Sequence, residues 1–154
     1  KLREIGVNYL APLGLVSQLL PEMRGASRSI VAVSTLTVHV PFPGNASYAA
    51  SKTALFTLLR SLRLELENDP VHIGAVLPGY TDTEMSRDVS SPIPAMPPAR
   101  VARAVRDCIE NERDCVVPGI TNTVAARLFQ SLPEVFDPLL GAFGRHLMAG
   151  GSSR

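Results

Sequence analysis

Two short apolar runs constrain this chain more than anything else in it. Ser29-Ile30-Val31-Ala32-Val33-Ser34 and Val71-His72-Ile73-Gly74-Ala75-Val76-Leu77 are each a strand's length, and each is followed by turn-forming or small polar residues. Neither shows the clean apolar–polar alternation of a half-solvated sheet. The pattern predicts strands buried on both faces, as in a parallel sheet covered by helices. Between them, after a loop broken by Pro41, Pro43 and Gly44, lies a helical run from about 47 to 68, with Leu55, Leu58, Leu59, Leu62 and Leu66. Asp69-Pro70 should end it. Strand, helix and strand in that order make a parallel unit with a right-handed crossover.

The flanks repeat the theme. Residues 1 to about 24 carry Leu2, Ile5, Tyr9, Leu13, Val16, Leu19, Leu20 and Met23 at helical spacing, with Pro21 expected to kink or end the last turn. Pro98 to about Arg113 reads as an amphipathic helix through Val101, Val105, Cys108 and Ile109. Residues 114–118 read as a short third strand. Residues 121 to 148 read as two helices split at Pro133 with a wide apolar stripe, which is expected to pack over the domain or a substrate pocket. Residues 86 to 98, crowded with Ser and Pro, are a long connection of the kind that serves as a lid or stays disordered.

A net charge of +1 over 154 residues gives no reason to expect nucleic acid or an anionic membrane as partner. No apolar run reaches the roughly 18 residues of a membrane span. A membrane-surface role for the tail is disfavoured, since Arg127 and Arg145 are isolated there. His39, His72 and His146 show no metal-binding spacing with Cys108 and Cys115. Those two cysteines read as reduced thiols of a cytoplasmic protein. Of fifteen Lys and Arg, only Lys1 and Lys52 are Lys.

Lys52 closes the stretch Tyr48-Ala49-Ala50-Ser51-Lys52. Residues four apart on a helix are about 40° apart around the axis and one turn apart along it. Their heads can therefore address one point. An ammonium beside a phenol is expected to lower its pKa from about 10 and fit it for acid/base work. Ser34 stands at the end of the first strand, where α/β sheets bind ligands. Asn8, awkward inside a helix, is either solvated or serves a site.

Asn8, the strand-end Ser34, YxxxK at Tyr48 and Lys52, and Pro78-Gly79 with Thr83 four residues on resemble, in order and spacing, the short-chain dehydrogenase/reductase family. The resemblance runs from Lys1 to at least Met85. It implies an α/β fold: the C-terminal part of a doubly wound Rossmann-like parallel sheet with flanking helices, here one incomplete domain over residues 1–150. It implies NAD or NADP as cofactor and a small alcohol, ketone or aldehyde as substrate. Tyr48 would be the general acid or base, and Lys52 would tune it and bind the nicotinamide ribose. Ser34 would hold the substrate oxygen, and Asn8 would help hold a proton-relaying water. Pro78, Gly79, Tyr80, Thr81 and Thr83 would contact the cofactor, and residues 86–98 would form the substrate lid. A homo-oligomer, dimer or tetramer, is implied for the full-length protein.

The glycine-rich TGxxxGxG turn that opens such proteins does not occur in this sequence. About a hundred residues of the family pattern are therefore expected upstream of Lys1. Residues 30–33 would form an unguarded sheet edge. The piece alone is expected to be poorly stable and to bind dinucleotide weakly. The alternative reading is a non-catalytic module for binding or dimerisation through the helices at 1–24 and 47–68.

Overall fold

The computed structural model describes residues 1–40, 43–86 and 93–150. Its elements run α1 (Leu2–Ile5), a π-helical segment (Gly6–Leu10), α2 (Ala11–Met23), β1 (Arg28–Val33), α3 (Ala46–Glu65), β2 (Val71–Val76), α4 (Pro98–Glu110), β3 (Cys115–Val116), α5 (Ile120–Ser131) and α6 (Pro133–Gly150). Single 3-10 turns cover Leu36–Val38 and Glu84–Ser86. The three strands form one parallel sheet in the order β1-β2-β3.

Alternate residues of the strands serve opposite layers, as the pleat requires. Val71, Ile73, Ala75 and Leu77 face α3, joining Leu55, Phe56 and Leu59, with Ile30 and Ala32 of β1 against them. Val76 and Val31 point the other way, to Ala104 and Cys108 of α4. Gly74 lies on that second face. A Cβ there would sit 2.6 Å from Cys108 Sγ and 3.0 Å from the Arg113 carbonyl oxygen, so only glycine lets α4 approach this closely. The sheet is thus covered on both sides, which is why its strands lack alternation in sequence.

Several boundaries differ from expectation. The third strand is only two residues long. Pro21 lies inside α2 without ending it. Its missing N–H falls in the last turn, and Arg24 N–H to Leu20 O at 3.1 Å closes the helix beyond it. The Asp69 carboxylate then ties that helix end to the start of β2, accepting from Arg24 Nε at 3.0 Å and from the Gly25 and Val71 N–H groups at 3.2 Å. The split of the tail at Pro133 is as expected. Among the described residues β1 is a sheet edge, paired with β2 alone, and Val33 is 45% exposed. Of the expected lid, residues 87–92 lie outside the described residues, as do residues 151–154 of the tail.

Leu59 is fully buried against β2, whereas Leu64, five residues on and so turned well round the helix, is 76% exposed. Leu59→Ala is expected to destabilise by about 2–5 kcal/mol and Leu64→Ala by less than about 0.5 kcal/mol. Urea unfolding of the two variants beside wild type checks this.

Candidate active site

The site forms where three segments meet at the C-terminal ends of β1 and β2. These are the residues after β1, the first two turns of α3, and the loop after β2. Pairing continues past the strands. Ser34 N–H donates to Val76 O and Leu36 N–H to Pro78 O, both at 2.8 Å. Ser34 and Pro78 therefore lie on adjacent, locked segments.

Ser34 and Lys52 tie the strand end to the helix in both directions. Ser34 Oγ donates to the Lys52 carbonyl at 3.2 Å. Lys52 Nζ donates to the Val33 carbonyl at 3.2 Å. Ser34 is buried, and burial holds the Lys52 ammonium below the ordinary lysine range. An ammonium has three donors. Among the described residues one is used, which leaves two for another partner.

Tyr48 stands one turn before Lys52. Burial pushes its phenol above the ordinary tyrosine value, and a hydrogen bond with the Thr35 side chain opposes the shift. This corrects the expectation that Lys52 lowers the Tyr48 phenol. The ammonium is not among the causes of the shift, its hydrogen bond among the described residues runs to Val33, and desolvation of the phenolate outweighs Thr35.

Asn8 sits in the π-helical segment, the sort of irregular turn found at functional sites. Its Nδ2 donates to Ser51 Oγ at 3.1 Å, and Ser51 Oγ donates to the Tyr48 carbonyl at 2.7 Å. Asn8 thus reaches the backbone of Tyr48 through a buried hydroxyl. Glu4 accepts a hydrogen bond from Ser47, a second tie between the first helix and α3.

The loop after β2 is folded on itself. Thr81 Oγ1 donates to Gly79 O at 3.0 Å, and Tyr80 Oη to Ser86 O at 3.1 Å. Thr83 N–H donates to Ser86 Oγ at 2.9 Å. Asp82 N–H to Met96 O and Met96 N–H to Tyr80 O, both 2.9 Å, pin the returning chain beside it. The structure therefore brings Tyr48 and Lys52 of α3 against the Val33–Thr35 segment that holds Ser34, with Asn8 tied to α3 through Ser51. Pro78 and Gly79 lie at the end of β2, and the Tyr80 and Thr81 hydroxyls bond backbone within their own loop.

Three contributors were not singled out from sequence. Thr35 and Ser51 sit beside or inside the motifs, so adjacency was a signal. Asn122, in the first turn of α5, has none. A Cβ on Gly79 would lie 2.7 Å from its Nδ2, which itself donates to Pro118 O at 2.9 Å. Asn122 is thus the wall against which the Pro78-Gly79 turn is set.

Parallel strands covered on both faces, with a Ser–Tyr–Lys cluster at their C-terminal ends, define an α/β protein of the Rossmann-like class. A family model for short chain dehydrogenases matches residues 2–93, and the chain belongs to the short-chain dehydrogenase/reductase family. It is 40% identical over 85 residues to dehydrogenase/reductase SDR family member 4 of Bos taurus, covering 54% of this chain and 30% of that protein. It is 28% identical over 149 residues to dehydrogenase/reductase SDR family protein 7-like of Drosophila melanogaster, covering 88% of this chain and 46% of that protein. The chain thus spans less than half the length of these curated relatives. Among solved structures, a short chain dehydrogenase from Burkholderia cenocepacia J2315 in complex with NADP superposes with a TM-score of 0.80 at 29% identity, covering 88% of this chain and 58% of that one.

Three tyrosines, Tyr9, Tyr48 and Tyr80, absorb as phenolates. Subtracting the alkaline titration of Tyr48→Phe from that of wild type is expected to leave a phenol ionising above about 10, the ordinary tyrosine value. A component below that value would contradict the burial-dominated site.

Proposed function

We propose that this chain is the catalytic half of an NAD(P)-dependent oxidoreductase that interconverts a carbonyl and an alcohol. The observation that carries the reading is that Ser34, Lys52 and Tyr48 each bond across the junction of the β1 end with α3, Ser34 to the Lys52 carbonyl, Lys52 to the Val33 carbonyl and Tyr48 to the Thr35 side chain. The residues fit the nicotinamide half of a dinucleotide. Lys52 has two donors left for ribose hydroxyls, and the Pro78–Thr83 loop borders the same strand ends. The cofactor supplies the hydride, which no side chain can.

Hydride addition to a carbonyl leaves negative charge on one oxygen. Tyr48 gives that oxygen its proton in reduction and takes it back in oxidation. Its raised pKa keeps the phenol protonated, the form that donates. Ser34 Oγ turns its hydrogen from the Lys52 carbonyl to the substrate oxygen and holds it against Tyr48, a positioning and electrostatic role. Lys52 Nζ, held at the Val33 carbonyl at the end of β1, offers its remaining donors to the ribose hydroxyls of the cofactor. Asn8 and Ser51 fix the turn of α3 that carries Tyr48.

The wall of the substrate pocket has no cluster of charge among Ile93–Pro98, which supports a moderately apolar alcohol, ketone or aldehyde. Leu2, Val7, Leu10, Leu15 and Leu19 are exposed along the first helices, and Leu64 on α3. That apolar surface supports a homo-oligomer built through these helices.

In the full-length protein, Tyr48→Phe should lower kcat by at least about 10²–10⁴-fold, the usual worth of a positioned proton donor. Ser34→Ala should also lower kcat. Dinucleotide binding should survive both substitutions. Turnover near wild type in Tyr48→Phe would remove Tyr48 as the proton donor.

A further inference from the structure

A second cleft opens between the C-terminal half of α3, β3 and α5, with a volume of about 340 Å³. That lies at the lower end of the range for small-molecule sites. It is not the site at the strand ends. Arg60, in its wall, is twelve residues beyond Tyr48 on α3, about 18 Å along the helix axis.

Arg60, Arg63 and Arg127 line the cleft together with His39, Gln130 and Phe56, and no Asp or Glu lines it. Arg63 is engaged. Its guanidinium donates to the Ile73 and Asp114 carbonyls at 2.8 and 2.7 Å, and its Nε lies 3.3 Å from the Asp114 carboxylate. Arg60 and Arg127 differ. Neither has a carboxylate within ion-pair reach among the described residues. Arg60 lies over the Phe56 ring, 5.8 Å from its centroid. Gln130 Nε2 contacts His39 Nδ1 at 3.0 Å, bridging α5 to the loop after β1.

A concave surface with uncompensated charge of one sign focuses its field on the cleft. The effect is already visible on a neighbour. Burial, with the charge of Arg60, holds the His39 imidazole below its ordinary range. Val117 and Ala126 supply apolar wall beside the charged groups. Guanidiniums offer fork-shaped pairs of donors that match oxyanions. Two of them without a counter-charge balance a dianion better than a monoanion.

We propose that the cleft formed by Arg60, Arg127, His39 and Gln130 binds a phosphate monoester, as a site separate from the one that carries Tyr48. The phosphoryl group sits between the two guanidiniums, and the ester's organic part lies on Val117 and Ala126.

Calorimetric titration with inorganic phosphate, in the full-length protein at low ionic strength and pH 7.5, tests this. Saturable binding is expected, weakened at least about tenfold in R60Q/R127Q, a loss of about 1.4 kcal/mol. Tyr48→Phe should leave the binding unchanged. Acetate at the same concentrations should bind more weakly. Both arginines are exposed, and each single variant, R60Q or R127Q, carries the same test if the pair fails to fold. No saturable phosphate binding, binding indifferent to the arginine variants, loss of binding in Tyr48→Phe, or acetate as tight as phosphate would each overturn the proposal.

Discussion

Two hydrogen bonds run in opposite directions between the end of β1 and the second turn of α3. Ser34 Oγ donates to the Lys52 carbonyl, and Lys52 Nζ donates to the Val33 carbonyl. Each bond uses one side chain and one backbone group, so neither segment can shift without breaking both. The pair sets the height and rotation of α3 over the strand ends. Tyr48, one turn earlier, inherits its place from that setting. The continued pairing of Ser34 with Val76 and of Leu36 with Pro78 then fixes the next loop to the same frame. Behind α3, the Asn8–Ser51–Tyr48 chain and the buried leucines hold the helix from the other side.

The electrostatics follow from how deep this frame lies. Desolvation disfavours the charged form of whatever it surrounds. At Tyr48 it favours the neutral phenol, and at Lys52 it favours the neutral amine. A sequence reading that considers only the charge of the lysine predicts the opposite direction for the tyrosine. Charge proximity is visible in a motif, and depth of burial is not.

Much of the fold was legible because its signals are local. Continuous apolar strands announce a covered parallel sheet. Pro133 punctuates the tail. Tyr48-Ala49-Ala50-Ser51-Lys52 after a strand-end serine gives the cluster and its order. What was not legible is set by contacts between distant parts of the chain. Asn122 meets Gly79 only because the first turn of α5 comes beside the loop after β2. The arginines at 60 and 127 look like ordinary surface cations until α3 and α5 face each other across a cleft.

The central claim is that one phenol and one serine hydroxyl converge on a single reacting oxygen. A crystal structure of the full-length protein with bound NAD(P) and a substrate alcohol tests it most directly. The account predicts that the alcohol oxygen lies within about 3.2 Å of both Tyr48 Oη and Ser34 Oγ, the reach of a hydrogen bond. An alcohol oxygen bound to neither group, or the two hydroxyls directed at separate solvent pockets, would contradict it.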